Sequence, residues 1–184
     1  FDALGGEAML GELAAADPEA AARLHPNDRK RIVRALEVFQ QTGKTISQHN
    51  RETRALPLRY DALTLSLAFQ RREDMWARID RRVDEMMAAG LAEEVRALLD
   101  SGVPVRCTAM QAIGYKEMAA ALRGGGDVCA AAEEIKLRSR QYAKRQLTWF
   151  RRTEGAKWLF WGPEPDFEAA CRTSTKYLEE FGLV

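Results

Sequence analysis

Apolar positions along this chain recur mostly at helical spacing and only twice at strand spacing. The stretch "GGEAMLGELAAADPEAAARL" is rich in alanine and predicts short helices up to about residue 24, with Asp17 as an N-cap, Pro18 in the first turn and Glu19 behind it. After "HPND", where Asn27 or Asp28 is the expected cap, "RKRIVRALEVFQQ" puts Ile32, Leu36 and Phe39 on one face with Val33 and Ala35 beside them. The polar run "TISQHNRETRALP", Thr45 to Pro57, has no periodicity and is expected to be a connection. Then "DALTLSLAF", Asp61 to Phe69, alternates Leu63, Leu65, Leu67 and Phe69 with small Thr64, Ser66 and Ala68, which predicts a strand that would tolerate cover on both faces.

Asp74 is expected to open the next helix, with Met75, Ile79, Val83 and Met86 as its buried stripe and Gly90 as its close. A second helix, Ala92 to Leu99, should end at Gly102. "PVRCTAMQAIGYKEMAAAL" reads as a loop and a helix, "GGGD" from Gly124 as a turn, and the longest helix runs from about Val128 to Arg152. "AKWLFWG" makes a second, apolar strand and "DFEAACRTSTKYLEEF" a terminal amphipathic helix. The fold class is therefore α/β, mostly helical. Two strands do not complete the sheet that a buried strand needs, so either a partner supplies more or the chain is the C-terminal part of a longer one.

The stretch "QQTGKTISQ" contains Gly43-Lys44-Thr45, the ending of a phosphate-binding P-loop. That motif needs a glycine five residues before the Gly-Lys pair and a strand in front of the loop, whereas position 38 is Val38 and a helix precedes. Gly43 is better read as a left-handed helix C-cap.

Composition narrows the classes. No apolar run approaches the roughly 18 residues of a membrane span, and "FDALGGEAML" lacks a basic region followed by a cleavable apolar segment, so the expected location is cytoplasmic. Cys107, Cys129 and Cys171 are odd in number, widely spaced and expected to be free buried thiols; with His25 and His49 as the only histidines, no metal centre is expected. The net charge of +1 hides a gradient, because residues 105 to 152 hold ten Lys and Arg against four Asp and Glu. Concentrated positive charge offers a surface to an anion such as nucleic acid.

Within "AAEEIKLRSRQYAKRQLTWFRR", Ile135, Tyr142, Ala143, Trp149 and Phe150 share a broad face, with Ser139 and Gln146 at its middle. Lys136, Arg140, Lys144 and Arg151 edge one side of that face, and Arg138, Arg145 and Arg152 the other. The expectation is a helix anchored by its aromatics with cations on both flanks. RNA, a packed core with solvated charges, and a membrane or peptide partner all remain open, although Ser139 and Gln146 suit a protein interior better than lipid. A second cluster, Arg29, Lys30, Arg31 and Arg34, sits in the first turns of its helix, where cations oppose the helix dipole and a shared phosphate would favour them.

Three blocks, "DPEAAARLHPNDRKRIVRALEVFQQTGKTIS" at 17 to 47, "AMQAIGYKEM" at 109 to 118 and "RQYAKRQLTWFR" at 140 to 151, resemble in order and spacing the tRNA dimethylallyltransferases, also called tRNA isopentenyltransferases. "RIDRRVDEMMAAGLAEEV", 78 to 95, resembles the segment between them. The resemblance implies transfer of a dimethylallyl group from dimethylallyl diphosphate to the exocyclic amine of the adenosine 3′ of the tRNA anticodon, with Mg²⁺. It also implies a P-loop-type parallel-sheet core carrying an inserted all-helical tRNA-binding domain, to which residues 1–55 would belong, with 56–184 the C-terminal part of the core. Carried across by position, the tRNA-binding residues are Lys30, Arg31 and Arg34, then Gln111, Gly114, Tyr115 and Lys116, and then Lys144, Arg145, Gln146, Thr148, Trp149 and Arg151. Arg78 and Arg82, one turn apart, are candidates for the diphosphate. The family's P-loop and its catalytic aspartate have no counterpart here, so no catalytic residue and no metal ligand is expected in this chain, which reads as a fragment inactive alone and a monomer when full length. Lys44 would be a helix-end cation or an RNA contact. The alternative is a non-catalytic RNA-binding module that uses the same basic helices, or a structural module with solvated charges.

Overall fold

The structure is a computed structural model and describes residues 4–57 and 59–183. The chain divides into two compact units, Phe1–Asp61 and Ala62–Val184, whereas the sequence places the division after residue 55.

The first unit is helical: α1 (Gly5–Ala16), α2 (Pro18–Ala21), α3 (Arg29–Thr42) and α4 (Ile46–Ala55). Leu13, Ala20, Ala21, Ile32, Ala35 and Leu36 form its core, so the stripe read from "RKRIVRALEVFQQ" is buried except for Phe39. Small residues let α1, α2 and α3 approach closely. Asp17 caps α2 as expected, its Oδ1 accepting from the Ala20 amide at 3.0 Å. Asp28 stands at the N-cap of α3, but its carboxylate accepts from the His25 amide at 3.1 Å rather than from the helix. Gly43 ends α3 in the left-handed region, φ 70°, its amide donating to the Phe39 carbonyl at 2.8 Å. It is a cap and not a phosphate loop.

The run from Thr45 to Pro57 is not a connection: α4 occupies most of it. Apolar periodicity fails to signal this helix because polar contacts hold it. Thr45 caps it by accepting from the Gln48 amide at 3.1 Å, and Lys44 Nζ pairs with Glu52 at 2.9 Å. Its first turn is fastened from a distance, the Ser47 amide donating to Asp17 Oδ2 at 2.9 Å. Burial pushes the Asp17 carboxyl up, but hydrogen bonds from Ser47 and Ala20 together with the Arg23 charge outweigh it, leaving its pKa below the usual carboxylate value.

The second unit contains β1 (Leu65–Phe69), α5 (Arg72–Ala88), α6 (Leu91–Asp100), a 3₁₀ turn (Ala109–Gln111), α7 (Tyr115–Gly124), α8 (Val128–Phe150), β2 (Lys157–Trp161) and α9 (Phe167–Phe181). The two strands pair in parallel with Leu67 opposite Leu159. β1 is shorter than the expected Asp61 to Phe69, though the Thr64 carbonyl still accepts from Lys157 N at 2.9 Å. Cover on both faces of β1 is also not found: Ser66 is buried while Leu67 is 54% exposed.

Arg71, not Asp74, is the N-cap of α5; Glu73 and Asp74 lie in its first turn, where negative charge favours the dipole. Of the expected stripe only Val83 is fully buried, and it joins Leu91, Val95, Met110, Met118, Ala119 and Ile135 in one core built from α5, α6, α7 and α8. The cysteines are free but not buried, Cys107 being half-buried and Cys129 and Cys171 exposed. No helix among the described residues is long and apolar enough to cross a membrane.

Candidate nucleic-acid interface

Helix α8 carries most of the positive charge, and its two halves meet different surroundings. Ala131 and Ile135 are buried in the core. One turn on, Lys136 Nζ lies 2.7 Å from Asp84 and 2.8 Å from Glu133, and those hydrogen bonds raise its pKa. Arg140 reaches Asp80 at 2.8 Å, and Arg138 reaches Glu134 at 2.6 Å. These three cations, expected to present themselves on the flanks, are neutralised by carboxylates of α5 and of α8 itself.

Beyond Arg140 the pairing stops. Among the described residues Lys144, Arg145, Arg151 and Arg152 carry no ion pair. The aromatics do not anchor this half: Tyr142 is 49% and Trp149 65% exposed, and Phe150 packs edge-on against Trp149 at 5.2 Å. They extend past the core that holds Ile135. Exposed aromatics interleaved with unpaired cations are the elements of a single-stranded nucleic-acid surface, where bases stack and phosphates find charge. Arg145 already lies 5.9 Å over the Tyr142 ring.

Two adjoining clefts flank α8. One, of about 640 Å³, brings Gln111, Lys116 and Arg145 together with Arg138 and Gln141. The other, of about 690 Å³, brings Arg82, Gln111, Tyr142 and Gln146 together over an apolar floor. Gln111 lines both, held by its amide donating to the Val105 carbonyl at 2.8 Å. Arg78 is exposed one turn from Arg82 on α5.

Other expected contacts have local duties. Gly114 precedes α7 at φ 104°, a conformation that favours glycine, and a Cβ there would also stand 3.8 Å from Met86. Its amide donates to Glu117 at 2.9 Å. The Tyr115 hydroxyl donates to Glu94 at 2.5 Å, which raises the tyrosine pKa. Thr148 Oγ1 donates to the Lys144 carbonyl at 3.0 Å. Lys44 is engaged by Glu52.

On the first unit, Lys30, Arg31 and Arg34 line a separate cleft of about 450 Å³. Arg23 joins them there, a residue the sequence does not single out because it arrives from the end of α2 rather than from the α3 cluster.

The comparisons with known proteins decide the family. A sequence model of the IPP transferase family matches residues 2–153. The chain belongs to the IPP transferase family. Within it, tRNA dimethylallyltransferase 1 of Trichlorobacter lovleyi is 50% identical over 155 residues, covering 84% of this chain and 50% of that protein. The crystal structure of the full-length tRNA isopentenylpyrophosphate transferase from Bacillus halodurans, 34% identical, matches 98% of this chain and 54% of its own with a TM-score of 0.63. A eukaryotic dimethylallyltransferase acting on tRNA, 27% identical, matches 94% of this chain and 45% of its own at 0.72. This member of the IPP transferase family spans about half the length of the curated relatives it matches. Its mostly helical α/β fold with a parallel strand pair is that of these transferases.

Proposed function

We propose that this chain supplies the RNA-gripping part of a tRNA dimethylallyltransferase, acting in the cytoplasm as part of a monomeric enzyme. The observation that carries the reading is the distal half of α8, where Lys144, Arg145 and Arg151 have no ion pair among the described residues and stand beside exposed Tyr142 and Trp149. An adenine inside a stacked loop is out of reach of an electrophile, so the anticodon stem-loop has to be held by its backbone while one base is turned out. Unpaired cations hold phosphates, and the aromatic faces and the glutamine-lined clefts receive bases.

In the reaction the exocyclic amine of the adenosine attacks the allylic carbon of dimethylallyl diphosphate, the carbon–oxygen bond breaks, and diphosphate leaves as a base takes the amine proton. Of the two diphosphate candidates, Arg82 lines the cleft that also holds Gln111 and Gln146, whereas Arg78 is not among its lining residues. Among the described residues no group of three or more His, Cys, Asp or Glu stands together; a Mg²⁺ ion would be held largely by the diphosphate itself, which asks for at most one or two carboxylates from the protein.

The test pairs binding with transfer. An anticodon stem-loop should bind the chain with an affinity that falls steeply with salt, by a power of roughly 0.9 for each duplex phosphate neutralised. Labelled dimethylallyl should reach unmodified tRNA only when the N-terminal portion of a family member, with its P-loop, is added. Binding indifferent to salt overturns the reading; salt-dependent binding with no transfer under any addition leaves the non-catalytic RNA-binding module in its place.

A further inference from the structure

The end of β2 and the turn into α9 are the chemical opposite of α8. Residues 158–171 hold Glu164, Asp166 and Glu168 and no Lys or Arg, with Trp158, Phe160, Trp161 and Phe167 among them. Glu164 and Glu168 make only exposed contacts, with Arg81 at 3.9 Å and Arg172 at 3.3 Å. Trp158, Phe160 and Trp161 of β2, with Asp166, Ala169 and Ala170 at the start of α9, line a small cavity of about 150 Å³, and none of its lining residues is a cation. Trp158 and Phe160 stack, their centroids 6.1 Å apart, and Phe167 packs edge-on against Trp161 at 5.3 Å. Phe160 is 58% exposed and Phe167 67%.

Two polar groups here have unused capacity. Asp166 caps α9, its Oδ1 accepting from the Ala169 amide at 2.9 Å, and among the described residues its Oδ2 has no partner. Trp161 Nε1 is buried without an acceptor among the described residues. A buried donor left over is rare in a closed fold, so this end of β2 is short of a contact.

Aromatic rings beside carboxylates are matched by few ligands. Nucleic acid does not suit the surface, because its phosphates would meet three acids. A neutral apolar side chain would cover the rings but strip water from Asp166 without replacing it. An ammonium group would pair with the carboxylate, while its tight hydration opposes contact with the rings. A guanidinium satisfies both parts: its flat, weakly hydrated faces lie on the rings, and its edge donates to the carboxylate.

We propose that this cavity receives an arginine side chain of a basic protein partner, so that the chain carries an acidic, aromatic docking surface besides its basic one. The source is a protein and not a small guanidinium compound, because Phe160 and Phe167 spread apolar surface that only a longer ligand covers. The unmet Trp161 N–H also asks for an acceptor, which a peptide backbone has and a guanidinium lacks. Arginine seated among aromatic rings is the composition of an interface centre. The surface does not depend on the tRNA reading.

The experiment titrates the whole chain with a capped glycine-serine peptide carrying one central arginine, followed by NMR of the tryptophan indole N–H signals. The same peptide with citrulline, equal in shape and uncharged, is the control. The arginine peptide should shift the Trp158 and Trp161 signals and leave Trp149 in place, binding roughly tenfold more tightly than the citrulline peptide. Asp166→Asn keeps a good helix cap while removing the charge, and Phe160→Ala removes an exposed ring; each should weaken the arginine peptide by roughly five- to tenfold and leave stem-loop affinity within about twofold. Several results overturn the proposal. Equal binding of the two peptides means that the cavity does not read charge. Binding that survives both substitutions, or that moves Trp149 in place of Trp161, puts the peptide elsewhere. Guanidinium chloride that binds as tightly as the peptide makes a free cation the ligand. Loss of the site when the N-terminal portion of a family member is added makes the transferase's own core its occupant. Absence of binding by every peptide leaves the cavity without this role, and the tRNA reading stands or falls separately.

Discussion

The proximal and distal halves of α8 are alike in composition and opposite in circumstance. Both are rich in Lys and Arg, and both carry apolar residues at helical spacing. In the proximal half Ile135 is buried, Lys136 is only 13% exposed between Asp84 and Glu133, and Arg140 lies against Asp80. In the distal half Trp149 is open to solvent and Lys144, Arg145 and Arg151 are unpaired among the described residues. The difference comes from the neighbour, since α5 lines only the proximal half with carboxylates. A basic helix is therefore not an interface by its charge count; the interface is the subset of cations that the fold leaves without acids.

The largest test of this contrast is packing. Ile135→Ala should destabilise the chain by about 2–5 kcal/mol, the cost of a cavity in a closed core, whereas Trp149→Ala should change stability by less than about 0.5 kcal/mol. Urea denaturation followed by circular dichroism measures both. Equal costs would mean that the two halves are equally packed and would break the comparison.

A second contrast sets these acids against the buried one of the first unit. Asp80 and Asp84 neutralise cations, whereas Asp17 mainly accepts from backbone amides at the starts of α2 and α4. Its folded pKa lies below the unfolded value near 3.9, so its contribution is complete above that value and is lost as pH falls through the folded pKa. Asp17→Asn should cost about 1–3 kcal/mol at neutral pH, because an amide nitrogen would face donors from Ser47 or Ala20. It should also flatten the stability curve between about pH 5 and the acid limit. A variant that keeps the acid-side slope of the parent would show that another group titrates there.

How far these features could be read beforehand follows from where their causes lie. The α3 stripe at Ile32 and Leu36, the Gly43 cap and the presence of strand β1, though not which of its faces is buried, are local, and their residues stand a few positions apart. Helix α4 was not legible, because its first turn depends on Asp17, thirty residues away, and because almost none of its surface is apolar. The neutralisation of Lys136 and Arg140 was missed for the same reason, although a signal existed. Those two cations are one turn apart, and so are Asp80 and Asp84, so matched ladders of opposite sign could have been paired across the two helices. The anchoring role expected of the aromatics failed because periodicity reports which residues share a face and not how far along the helix the core extends. The division of cations into paired and unpaired, on which the candidate interface rests, belongs to tertiary structure.

The smallest expected effects draw that division most sharply, using one substitution at two places on the same helix. Lys136→Met keeps the length of the side chain and removes its charge. It should lower stability by about 1 kcal/mol or less, because Asp84 and Glu133 remain largely exposed and can be hydrated, and it should leave RNA affinity and its salt dependence unchanged. Lys144→Met should do the reverse: stability stays within about 0.5 kcal/mol, while the slope of log affinity against log salt for the stem-loop shrinks by about one. Fluorescence titrations at several salt concentrations, together with denaturation of both variants, supply the four numbers. If Lys136→Met also flattens the salt slope, the carboxylates of α5 do not withhold that cation from RNA, and pairing in the free protein no longer predicts which side chains bind.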